Sequence, residues 1–308
     1  MDKHWGSVLL AGLVLGAISI GPADSATQAS STSQAGQGQG QNQPAPSGQS
    51  SGAQSGQAGA AATPAKPQIT PDEFKAYNAI QHEIDASRQA QLVDEFVKKY
   101  PSSPLVSDVY FFGAYAWQQQ NNLDKVVEYG NKSLQANPNN FRSLLLMAEM
   151  LPQPQEMKGS DADKEKKLAD AEADANKALQ AIGDLKPPNM PPEQLTQLKA
   201  GLTAQVHSSL GMVHLQKATM GLTGTDPQEL GKAEEEYKAS VTGVDKPSPE
   251  DYFRLGEVYR MENKVDDAIQ AFNQASKLSQ GSPLQAMADQ QADALKKQKA
   301  QAPPPAKP

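Results

Sequence analysis

The chain has four histidines and no cysteine, which leaves little material for metal or nucleophilic chemistry. His207 and His214 are the pair to weigh, because a seven-residue spacing puts both imidazoles on one helix face. Two helical turns hold them about 10 Å apart, too far to share one ion without other ligands. His82 lies near a helix end, with no carboxylate and serine arranged around it. Asp161-Ala162-Asp163 and Glu234-Glu235-Glu236 lack the alternating spacing of a calcium loop and read as solvated helix faces. Gly221-Leu222-Thr223-Gly224 is followed by no Lys-Ser/Thr and preceded by no strand, so it is no phosphate loop. The residues therefore propose no catalytic set, no metal site and no cofactor, and the expectation is a non-enzymatic protein.

Composition narrows the class further. Of 308 residues only 38% are hydrophobic, and Gly, Pro, Gln, Ser and Ala crowd into the first 70. The net charge is −7 and no Lys/Arg stripe runs along any segment, which argues against a nucleic-acid partner. Without cysteine there can be no disulfide, thiolate zinc site or lipid-modified cysteine. From about Ile69 the chain is rich in Ala, Leu, Lys, Glu and Gln with helical periodicity, and no Val/Ile alternation suggests strands.

Residues 1–25 read as a signal peptide. Lys3 supplies a weak positive start, and Val8 to Ile20 is apolar but short for a bilayer span. Pro22 breaks the helix, and Ala23-Asp24-Ser25 offers small residues for cleavage after Ser25. The expectation is a periplasmic or secreted protein. The alternative is an uncleaved inner-membrane anchor, helped by Trp5, and only then would the membrane be a partner. Ala26 to Gln68 hold Lys66 as their only charge and nothing large and apolar, so residues 26–69 read as a disordered, flexible linker.

The elements that would position any site begin at Thr70-Pro71-Asp72-Glu73, which has a cap residue, a first-turn proline and acids at the positive end of a helix. Helices are predicted over Pro71–Glu83 and Ala86–Tyr100, with Phe74, Tyr77, Ile80, Leu92 and Phe96 on their apolar faces. The strongest pattern lies in Ser248 to Gln280. Tyr252, Leu255, Gly256 and Tyr259 fall on one helix, and Ala268, Phe272 and Ala275 on the next. This stretch resembles a tetratricopeptide repeat (TPR), a helix-turn-helix unit of 34 residues. A weaker copy spans Ser107 to Asn140, with Tyr110, Ala114 and Trp117 on the first helix. Val126 there stands for Ala268, and the gap from Ala114 to Val126 equals that from Gly256 to Ala268. Gly130 stands where Phe272 does, a vacancy that Tyr129 or a neighbouring helix must fill.

Two further units are stretched. Leu144, Met147 and Ala148 pair with Ala171, Ala175, Ala178 and Leu179 across an insertion at Pro152 to Lys164. His207, Leu210, Gly211 and His214 pair with Ala233, Tyr237 and Ser240, and the first of these helices starts near Pro192. The two histidines thus occupy packing positions of the repeat. The resemblance implies an all-α fold, an α-solenoid of antiparallel helix pairs after the linker. Its units lie near 70–103, 107–140, 141–186, 192–247 and 249–282, with a capping helix at 283–299 and a disordered tail at 300–308.

In such proteins the first helix of each pair lines a concave groove that holds a peptide. Carried over residue by residue, the groove stripe is Phe111, Tyr115 and Gln118, then Arg142, Leu145 and Glu149. It continues with Ser208, Met212 and Gln216, and ends with Phe253, Glu257 and Arg260. Open rings at Phe111, Tyr115 and Phe253 would be binding anchors; the alternative is that they pack against a neighbouring pair. The Lys and Asn set that grips a peptide C-terminus is missing from this stripe. The resemblance implies a protein or peptide partner in the cell envelope. One rival is a structural envelope component or oligomerising assembly factor, associating through the long helix at Pro192 to Met220; a second is an enzyme whose site these residues do not reveal.

Overall fold

Short polar side chains punctuate the chain. In the computed structural model, which describes residues 69–221 and 224–301, eleven helices follow one another and no strand occurs among the described residues. The signal-peptide segment 1–25, the linker up to residue 68, the tail from residue 302 and two residues of the Gly221–Gly224 stretch lie outside the described residues. Helices α1 (Pro71–Gln81) and α2 (Ala86–Lys99) come first, then α3 (Val106–Gln119) and α4 (Leu123–Ala136). Next are α5 (Phe141–Met150), α6 (Asp161–Asp184), α7 (Pro192–Thr219) and α8 (Pro227–Val241). Helices α9 (Pro249–Met261), α10 (Val265–Leu278) and α11 (Pro283–Gln301) complete the array.

Seven of these helices begin at a side-chain oxygen that accepts a backbone N–H from the first turn, which offsets the orphan donors there. Thr70 accepts from Glu73 N at 3.2 Å while Glu73 returns a carboxylate to Thr70 N at 2.7 Å, a reciprocal box. Those bonds also hold the Glu73 carboxyl below its usual range. Asp85, Asn122, Asn140, Ser160, Asp226 and Ser248 do the same for α2, α4, α5, α6, α8 and α9. Ser160 explains why the α5–α6 insertion ends earlier than Lys164: its hydroxyl and Asp163 form a second reciprocal box, so Asp161 to Lys164 are already helical. The turns inside two hairpins are matched as well. Asn121 and Asn263 adopt left-handed φ values of 55° and 59°, which Asn tolerates better than most residues.

Consecutive helices pack side by side, and the apolar core is a series of clusters along the array. Tyr77, Ile80, Phe96, Phe112 and Tyr129 build its start; Leu144, Leu145, Ala175 and Leu210 its middle. Tyr237, Phe253, Phe272 and Ala275 build its end, and α11 closes it with Leu284, Ala288, Ala292 and Leu295. Odd-numbered helices also meet across pairs, α1 with α3 and α5 with α7; no even-numbered pair approaches as closely among the described residues. The odd-numbered helices, the first of each pair, are called the inner layer below.

Two expectations need correction here. Phe74, assigned to the apolar face of α1, is 50% exposed, while Tyr77 and Ile80 are buried. It lies in the first turn of α1, ahead of the buried Tyr77 and Ile80. Helix α1 also ends at Gln81 rather than Glu83, and Glu83 turns its carboxylate to accept from Ile84 N and Asp85 N in the connection.

Candidate peptide-binding face

The close crossings that hold the pairs together rest on glycine opposite an aromatic ring. A Cβ built on Gly256 would meet the Phe272 ring at 2.8 Å, and one on Gly211 would meet the Tyr237 ring at 2.9 Å. Neither position has room for one more carbon. In the α3/α4 hairpin the seat is made by Gly113 and Tyr129, with a Cβ at 2.5 Å from the ring. The hole predicted at Gly130 is filled from α5, where Met147 Sδ lies so close that any Cβ would overlap it. Tyr129 is held in its seat by donating to Asp94 at 2.5 Å.

These glycine seats, repeated along stacked helical hairpins, decide the architecture. The described residues form a TPR fold. Among solved structures the chain is similar to Acl4, described as the assembly chaperone of RpL4, with a TM-score of 0.55. Identity there is 11%, over 75% of this chain and 87% of that one. TTC0263, a thermophilic TPR protein of Thermus thermophilus, is 14% identical over 71% of this chain and 94% of that one, with a TM-score of 0.46. Yeast Tom70 is 17% identical over 73% of this chain and 47% of that one, with a TM-score of 0.35. No family profile and no curated protein sequence matches the chain.

The TPR geometry sorts the twelve stripe residues into two groups. Phe111 and Phe253 are each 3% exposed, which corrects the expectation that they stand open as anchors. Phe111 stacks with Tyr115 at 6.5 Å and packs against Phe112, and Phe253 meets Phe272 edge-on at 5.2 Å. Phe111 is covered by Arg142 of the next pair, whereas Phe253 packs on Phe272 of its own hairpin. Leu145 and Met212 are buried too. Tyr115, Glu149, Ser208, Gln216 and Glu257 are part-exposed, and Arg260 is exposed.

Polar contacts tie the inner helices to one another. Arg142 on α5 places its guanidinium over the Phe111 and Phe112 rings at 5.7 and 5.8 Å. Gln118 on α3 is 4% exposed and donates its amide to Met150 Sδ at 3.7 Å. Gln205 on α7 donates to Glu149 at 3.0 Å, and Ser208, one turn on, donates to Asp251 of α9 at 2.6 Å. Arg254 pairs with Glu257 at 2.7 Å. Burial pushes the Glu149 carboxyl up to about 7, the Gln205 amide opposing, and burial pushes Asp251 up to about 6 against the Ser208 hydroxyl.

Gln205, Asp251 and Arg254 were not foreseen as parts of this face. Asp251 sits three residues after the cap Ser248 and so reads as a helix-start acid, while Gln205 lies upstream of the recognisable repeat. The one available signal was the Gln205–Ser208 spacing, which puts two polar groups on one face of α7.

The two histidines face α8, not the inner wall. His207 Nδ1 lies 2.6 Å from Glu236 and His214 Nδ1 2.7 Å from Glu229. The two carboxylates are themselves seven residues apart on an antiparallel helix, so each imidazole meets its own partner on either side of the Gly211–Tyr237 seat. Glu229 also binds Lys232, and these partners keep its carboxyl below the usual range despite burial. No group of three or more His, Asp or Glu placed to hold a metal ion occurs among the described residues. Glu234 pairs with Lys238 and Lys264, and Glu236 with His207, so two members of the acidic run bind across helices rather than facing solvent.

Proposed function

We propose that the protein is an interaction scaffold that holds a peptide or protein segment against its inner, odd-numbered helices. The support for this is that odd-numbered helices touch across pairs, while Tyr115, Glu149, Gln216, Glu257 and Arg260 on those helices stay part-exposed or exposed. A wall of half-open polar groups beside rings suits an extended ligand whose backbone needs donors and acceptors. Acl4, similar in fold, is described as an assembly chaperone, which accords with such a role. For location the support is residues 1–25 alone: the apolar stretch and the small residues before Ala26 favour export to the envelope.

A photo-crosslinking amino acid at Tyr115 or Arg260, with one at Lys166 of α6 as an outer control, tests the face in the native compartment. Adducts from the inner positions and none from Lys166 are expected. Adducts confined to Lys166 would move the binding surface to the outer layer. N-terminal sequencing of the exported chain is expected to begin at Ala26; a chain beginning at Met1 would favour the anchor.

A further inference from the structure

One half-buried carboxylate on the inner wall has no ion-pair partner among the described residues. Glu149 of α5 accepts the Gln205 amide and enters no ion pair among the described residues. Glu257 pairs with Arg254 and the Arg142 guanidinium lies over two rings, while Asp251 accepts from Ser208. Withdrawing a carboxylate partly from water without a countercharge is unfavourable, whereas Gln or Leu at this position would pack α5 on α7 without that penalty. Burial accordingly holds its pKa near 7.

A second, independent feature lies next to it in the fold. The Gln118 side chain is buried, yet its amide has only the Met150 thioether as acceptor, and sulfur accepts weakly. A buried donor with a poor acceptor and a half-buried carboxylate with no cation beside it among the described residues are complementary to one ligand: a peptide carbonyl followed by a basic side chain. The net charge of −7 favours encounter with a cationic partner. Arg142 and Arg260 share the wall, so recognition is by position and not by bulk charge.

We propose that the inner wall between α3, α5 and α7 takes a basic peptide segment, with one lysine or arginine seated on Glu149 and a backbone carbonyl accepting from Gln118. The proposal rests on the inner-face reading above and names the chemistry of its ligand.

Selection of a random peptide display library on the immobilised full-length chain tests it. The expected outcome is enrichment of peptides with Lys or Arg at one shared position. The selected peptide, labelled with fluorescein, should bind the Glu149→Gln variant about tenfold more weakly or worse, as loss of a charge-assisted bond demands. The same peptide with Met in place of its basic residue should bind wild type and variant alike. Gln keeps a hydrogen-bond partner for Gln205, so thermal unfolding of the variant should match or exceed wild type, which separates lost charge from lost fold. Enriched peptides without Lys or Arg, or equal binding to the variant, overturn the basic anchor while leaving the inner-face reading standing. A library yielding no binders, together with no crosslink at Tyr115, overturns both.

Discussion

Hairpins α3/α4 and α9/α10 answer the same packing problem in different registers. Their turns coincide: Asn121 and Asn263 share the left-handed conformation, Asn122 N bonds Trp117 O, and Lys264 N bonds Tyr259 O. Counted from those turns, Ala114 matches Gly256 and Val126 matches Ala268, and all four are buried. The glycine-ring seat nevertheless sits one residue earlier in α3/α4, at Gly113 and Tyr129 instead of Ala114 and Gly130. Both members moved together, so the sixteen-residue separation of Gly256 and Phe272 is kept. The place vacated at Gly130 went to Met147 of the next helix. A close crossing thus needs a missing side chain facing a ring in space; it does not need them at fixed columns of a repeat. The later hairpin seats a ring without a polar handle, while the earlier one pins its ring through a hydroxyl to Asp94.

The largest expected effect breaks the later seat. Phe272 is fully buried against Gly256, Phe253 and the Ala275 turn, so Phe272→Ala should destabilise by about 3–5 kcal/mol, read from urea midpoints. A loss under about 1 kcal/mol would mean that the seat closes over the cavity. Next comes an apparent repair of the earlier hairpin. Gly130→Phe restores the aromatic at the column occupied by Phe272, yet it should cost about 1–3 kcal/mol because Met147 already fills the space. Adding Met147→Ala should recover part of that loss; stabilisation by Gly130→Phe alone would show the shifted register to be no constraint.

The smallest effect concerns pH and the middle of the array. Burial raises Glu149 to about 7, and Asp174 and Asp251 to about 6. A carboxyl raised on folding binds more protons folded than unfolded, so its contribution is fully present below the ordinary carboxylate range. That contribution is lost as pH rises through the raised value. The unfolding temperature should therefore be higher at pH ~5.5 than at pH ~8, and Glu149→Gln should flatten the difference by a few degrees. Parallel pH curves for wild type and variant would show that Glu149 does not titrate in this window.

Much of the scaffold was legible in the chain because its determinants are local. Thr70, Ser160 and Ser248 mark helix starts through bonds to residues three positions on, and Gly256 and Phe272 meet inside one hairpin. The candidate site was less legible. Phe111 and Phe253 obey the spacing of a groove stripe, but whether such a ring stays open depends on how closely the next odd helix approaches. That distance is set by side chains far away in the chain. Glu149 was on the stripe, but its isolation from cations and its Gln205 partner, 56 positions away, could not be read from periodicity.

Alone, the order of residues determined the all-helical class and the pairing of helices around small-residue seams, because caps, turns and apolar stripes act over one or two helical turns. Only the tertiary structure decided which rings are buried, where the α3/α4 seat lies and which carboxylate stands without a countercharge. Burial and solvation are properties of the space between helices, and that space exists only once the array has stacked.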